Sequence, residues 1–112
     1  MNPIEVKEIL ACSTFRSLCP VTSQPDWATI TITYLGQAVK RDVLLSYLIS
    51  FRDIHAFHEE CAEKIFFDLQ RNCTPKELTV QANFLRRGGI ELNPVRSNKK
   101  NFDADVLRDV RQ

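Results

Sequence analysis

"ATITITY", residues 28–34, alternates at every position: Ile30, Ile32 and Tyr34 point to one side of an extended chain and Thr29, Thr31 and Thr33 to the other. A period of two is the signature of a strand with one buried face. The next stretch, "LGQAVKR" (35–41), leaves room for a turn and a short second strand. Beyond it the period changes. Leu44, Tyr47, Leu48 and Phe51 recur at helical spacing within 42–51, and Phe57, Cys61, Ile65 and Leu69 form a stripe within 55–72, with Ala62 and Phe66 beside it. Two amphipathic helices are expected, the second the longer, its end bracketed by Asn72 and Pro75.

Alternation returns in "ELTVQANFL" (77–85), with Leu78, Val80, Ala82 and Phe84 on one face, and again in the short "IELN" (90–93). "RRGG" lies between them, and Gly88-Gly89 is the natural turn of an antiparallel hairpin. Strands flanking a pair of helices give an α+β class: an antiparallel sheet with both helices on one face. The other face carries mixed residues, so it is either solvated or lines something. From Arg96 onward the chain is polar and charged, and a loosely held tail is expected from about residue 99.

The chain has 112 residues, the length of one domain, and its net charge of +1 gives no case for non-specific nucleic-acid binding. A modest core makes oligomerisation a reasonable source of stability. No apolar run reaches the length of a membrane span and the N-terminus lacks a signal-peptide core, so the expected location is the cytoplasm. The four cysteines, Cys12, Cys19, Cys61 and Cys73, form no Cys-x-x-Cys pair, and His55 and His58 supply no zinc spacing; no metal site is expected. In a reducing compartment they are free thiols. Cys61 and Cys73 follow the helical pattern and read as core.

Cys19 stands apart. "SLCPVTSQPDW" (17–27) sets it in a polar stretch between prolines, seven residues before Asp26. A thiol needs help to ionise near neutral pH, and Pro20 and Pro25 restrict the backbone that would present it. A turn-capping aspartate and an incidental thiol explain the same spacing. "FHEE" (57–60) opens the second helix. There Glu59 suits the helix dipole, while Phe57, His58 and Glu59 together could stack on a planar ring, move a proton and accept from ring N–H groups. "RRGG" could bind phosphate or simply turn a hairpin.

Taken together, "SLCPVTSQPDW", "YLISFR", "FHEECAEKIFFDL" and "RRGGIELNPVRSN" closely resemble, in order and spacing, the 7-cyano-7-deazaguanine reductases, the NADPH-dependent nitrile reductases of queuosine biosynthesis. The resemblance runs from about Phe15 to Asn98 and is greatest with the C-terminal half of the two-module members. It implies a tunnelling fold, built as strand-strand-helix-helix-strand-strand, whose modules join edge to edge into a barrel with sites at module interfaces. It implies that residues 1–112 are one catalytic module. By the same resemblance Cys19 is the nucleophile that forms a covalent thioimide, Asp26 the acid that protonates the nitrile nitrogen, and His58 its assistant. Glu59 grips the guanine-like edge, Phe57 stacks on the base, and Arg87 and Gly88 touch NADPH.

One departure bears on the cofactor. One-module members carry a Glu-Ser-Lys-Ser-x-Lys motif before "YL.SFR"; here Lys40, Arg41, Asp42 and Leu45 replace its Glu, first Ser and two Lys. The resemblance therefore implies a complete covalent site and an incomplete cofactor site, filled by a second module or by a homo-oligomer. The alternatives are an archaeosine-synthase-like amidinotransferase that adds ammonia to the nitrile, and a non-catalytic deazaguanine-binding module.

Overall fold

The computed structural model describes residues 4–85 and 92–99. Its order is β1 (Glu5–Leu18), β2 (Pro25–Gln37), α1 (Arg41–Ile49), α2 (His58–Cys73), β3 (Glu77–Phe84) and β4 (Val95–Ser97). The strands form one antiparallel sheet in the order β1-β2-β3-β4. Both helices cover one face of it. The expected α+β class and its four-strand, two-helix composition are therefore observed.

The alternation that opened the sequence sets the layers. Ala28, Ile30, Ile32 and Tyr34 of β2 are buried, beside Leu78, Val80, Ala82 and Phe84 of β3. Ile30 pairs with Ala82 and Ile32 with Val80, which aligns the two apolar rows. Leu44 and Leu48 of α1 and Cys61, Ala62, Ile65, Phe66 and Leu69 of α2 close over them. Burying a Leu, Ile or Phe side chain is worth roughly 1.5–3 kcal/mol, so this two-layer contact dominates the stability. The opposite face carries Thr29, Thr31 and Thr33, with Gln81 buried among them.

Two expectations need correction. The first strand is not 28–34 but β1, which begins at Glu5 and pairs with β2 on either side of a bulge between Cys12 and Phe15. Nor does a second strand form in 35–41. β2 runs on to Gln37, and the chain then turns into α1 where the Val39 N–H donates to the Tyr34 hydroxyl. Gly36 passes so close to Pro75 that an added Cβ would lie 3.1 Å from its Cα. A fourth strand is described at Val95–Ser97, paired with β3; of the expected strand at 90–93 only Leu92 and Asn93 lie among the described residues, and they precede it. Asn98 is anchored too: its N–H donates to Leu78 O and its side chain accepts from the Leu78 N–H. The Gly88-Gly89 turn and residues 100–112 lie outside the described residues.

α2 starts at His58, three residues later than the periodicity predicts. The reason is a competing partner. Leu18 donates its N–H to Ile54 O and accepts from the Ala56 N–H, which holds 54–56 extended. The Glu60 carboxylate accepts from the Phe57 N–H and caps the helix start. α2 ends at Cys73 because Thr74 is left-handed, at φ 42°.

Candidate active site

Three pieces of chain meet at one end of the sheet. The β1–β2 turn brings Cys19, the start of β2 brings Asp26, and the first turn of α2 brings Phe57, His58 and Glu59. With Leu85 and Leu92 these residues line a cleft of about 300 Å³. Cys19, Asp26, Phe57, His58 and Glu59, the catalytic and substrate-binding candidates of the sequence, thus face one cavity. Phe57, His58 and Glu59 achieve this although adjacent residues diverge on a helix flank, because they are the cap and first two positions and the helix end itself faces the cleft.

Asp26 is the second residue of β2, opposite Ser17 of β1. Its place in the alternation turns it to the helix side, and only 4% of it is exposed. His58 Nε2 lies 3.3 Å from its Oδ2. Burying a carboxylate is tolerable only with such a partner. The pair can hold one mobile proton, on the imidazole or on the acid. The His58 ring is itself stacked on Phe84, centroids 3.9 Å apart and 5° from parallel. Its Nδ1 is buried with no partner among the described residues. Phe84 holds the imidazole flat and aims Nε2 at Asp26. The sequence offered no sign of this, since Phe84 sits in the apolar row of β3 and reads as core.

Two other thiols are spoken for by burial. Cys61, fully buried below the cleft, is pushed above its ordinary value by burial, with a smaller opposing pull from the Ser17 hydroxyl. Burial raises Cys73 as well. Both remain protonated thiols at neutral pH, whereas Cys19 opens on the cleft. Two larger hollows lie elsewhere, of about 400 Å³ between α1 and the β1 edge and about 390 Å³ between the helices. The first is mostly apolar. In the second the Asp68 carboxylate accepts from the Tyr47 hydroxyl and pairs with Lys64, so it is spent on structure.

No Lys or Arg lines the cleft among the described residues, and Arg87 and Gly88 lie outside them. Arg41, one of the residues in place of the missing motif, is turned to Glu8 of β1 at 3.3 Å. The described lining fits a flat, polar-edged heterocycle. It holds no group for the phosphates of a dinucleotide. Among the described residues no three His, Cys, Asp or Glu side chains gather as a metal site, and no helix is long and apolar enough to cross a membrane.

A four-stranded antiparallel sheet covered by two helices, with a cleft at its end, defines an α+β module. The chain belongs to the QueF-like protein family, whose model matches residues 25–103. Its relatives include proteins named NADPH-dependent 7-cyano-7-deazaguanine reductase. The one from Xanthomonas campestris is 48% identical over 108 residues, and the one from Buchnera aphidicola is 52% identical over 107, each match covering 96% of this chain. The chain spans only about 40% of the length of these relatives. Among solved structures, the apo form of the archaeosine synthase QueF-Like superposes with a TM-score of 0.72. It covers 87% of this chain and 95% of its own at 20% identity, a likeness of fold alone.

Proposed function

We propose that this chain is the covalent-catalysis module of an NADPH-dependent reductase that converts the nitrile of 7-cyano-7-deazaguanine to an aminomethyl group. The observation that carries the reading is the convergence of Cys19, Asp26, His58, Glu59 and Phe57 on one cleft. The names of the relatives supply the substrate and the cofactor class.

The chemistry this chain would perform is an addition. The Cys19 sulfur bonds to the nitrile carbon, one π bond of the C≡N opens, and the nitrogen takes a proton. Nothing leaves and nothing is oxidised. The thiol proton passes to the Asp26–His58 pair, which returns one to the nitrogen, so the proton count closes within the site. Glu59 accepts from the ring N–H and amine of the guanine-like edge, and Phe57, half exposed at the cap, covers the base.

Reduction of the thioimide to the amine takes two hydrides and two protons per nitrile, and NADPH is the hydride source named for the relatives. Arg87 and Gly88 are the cofactor contacts proposed for this chain. Lys40, Arg41, Asp42 and Leu45 stand where one-module members carry their cofactor motif, and Arg41 is turned to Glu8, which supports a cofactor site completed by a second module or another copy joined at the sheet edges. The reading places the protein in the cytoplasm and on the free base rather than on nucleic acid. It treats residues 1–112 as one module.

The test is a comparison of two activities. The chain alone should form the adduct and oxidise NADPH slowly or not at all. Adding a module that carries the Glu-Ser-Lys-Ser-x-Lys motif should restore oxidation. NADPH consumption by the chain alone at the rate of a one-module enzyme would overturn the half-site reading.

A further inference from the structure

Cys19 follows directly on the last residue of β1, and two sets of bonds fix that junction. Leu18 bridges in parallel to His55, its N–H donating to Ile54 O at 2.9 Å and its O accepting from the Ala56 N–H at 3.0 Å. Phe57, His58 and Glu59 follow immediately on Ala56. The Cys19 turn also closes on itself: the Cys19 N–H donates to Gln24 O at 2.9 Å, and Cys19 O accepts from the Ser23 N–H at 2.8 Å. Closure puts Ser23 at φ 59°, in the left-handed region that favours glycine. A strained backbone persists only where its surroundings hold it. Here the holder is visible: Ser23 Oγ lies 3.2 Å from His55 Nε2. His55 thus faces Leu18 through its backbone and grips the Cys19 turn through its side chain.

We propose that Ser23 and His55 form a strap that fixes the Cys19 sulfur relative to His58 and Glu59, making both positioning residues for the nucleophile. The inference rests on the reading of Cys19 as that nucleophile. Neither residue lines the cleft. Their effect is therefore on orientation: a nitrile carbon is attacked along a narrow path at near-contact distance, and a small displacement of the attacking atom is costly. The imidazole suits the task because the serine hydroxyl can donate to a bare Nε2 or accept from a protonated one, so the strap holds in either ionisation state.

The test uses His55→Ala, His55→Gln, Ser23→Ala and the double variant Ser23→Ala/His55→Ala. Three quantities are read: the limiting rate of adduct formation with saturating 7-cyano-7-deazaguanine, affinity for the same compound in a Cys19→Ala background, and amide hydrogen exchange of the 19–24 segment. Each single variant should slow the limiting rate roughly tenfold while leaving affinity within about twofold. His55→Gln, whose amide can still bond Ser23, should recover most of the rate. The double variant should be no slower than the slower single one, and exchange in 19–24 should quicken with the loss of either partner. A wild-type limiting rate in His55→Ala, or single losses that multiply in the double variant, would overturn the strap. If the wild-type protein forms no adduct, the reading of Cys19 fails separately. Exchange then decides the strap: quickened in His55→Ala it stands, unchanged it falls.

Discussion

At the end of the sheet where β2 leaves for α1, polar side chains around the buried Tyr34 ring are tied to one another. The Tyr34 hydroxyl donates to Glu8 and accepts from the Val39 N–H, Arg41 pairs with the same carboxylate, and Lys76 reaches Glu5 at 3.0 Å. At the other end Asp26 is buried against an imidazole whose second nitrogen has no partner among the described residues, beside a left-handed serine and a cysteine open to a cleft. Both ends bury polar groups. One end uses them to close the fold, and its hydrogen-bonding capacity is consumed internally. The other places Cys19, Asp26, His58 and Glu59 on the wall of a cavity, an arrangement that closing the fold does not require.

Substitutions at the two ends should separate these roles. The largest effect is expected for Asp26→Asn, which keeps the shape and a hydrogen bond to His58 but cannot deliver a proton. Adduct formation should slow about 100-fold or more while the thermal midpoint changes little. An unchanged rate would return Asp26 to a structural role. Next comes Glu59→Ala. A charge-assisted hydrogen bond is worth about 1.5–3 kcal/mol, so calorimetry should show affinity for the base weakened roughly 10- to 100-fold in a folded protein. Full affinity would remove Glu59 from the site.

The smallest functional effect belongs to the opposite end. Tyr34→Phe should cost about 1 kcal/mol of stability and leave the adduct rate alone. It should also alter the acid limb. The Tyr34 hydrogen bond, opposed by burial and helped by Arg41, holds Glu8 below its ordinary value of 4.5. A depressed carboxylate stabilises the fold above its unfolded value and loses that contribution as pH falls through the folded one. Stability should therefore fall less steeply below pH 4.5 in Tyr34→Phe than in the wild type, measured by urea unfolding. An identical slope would show that the bond contributes nothing to acid stability.

The same contrast marks what the sequence could reveal. Both helices and the apolar rows of β2 and β3 were legible because each keeps one period over its length. β1 was not. Val6, Leu10 and Cys12 turn inward, but so does Glu8, while Ile9 is exposed on the other face, and a bulge between Cys12 and Phe15 shifts the phase. No single alternation survives that combination on an edge strand. The site residues were legible through the family resemblance, not through spacing. Cys19 and Asp26 meet His58 only because β1 and β2 form a hairpin and 54–56 pair with Leu18. Phe84 and His55 carried no sequence signal, since one resembles core and the other a surface histidine.

The central claim is that Cys19, alone among the four cysteines, is the nucleophile of the cleft. Intact mass after incubation with 7-cyano-7-deazaguanine and no NADPH tests it most directly. The account predicts a gain equal to one molecule of the nitrile in the wild type, in Cys61→Ala and in Cys73→Ala, and no gain in Cys19→Ala. An adduct that persists without Cys19, or a wild-type mass that does not change, would contradict it.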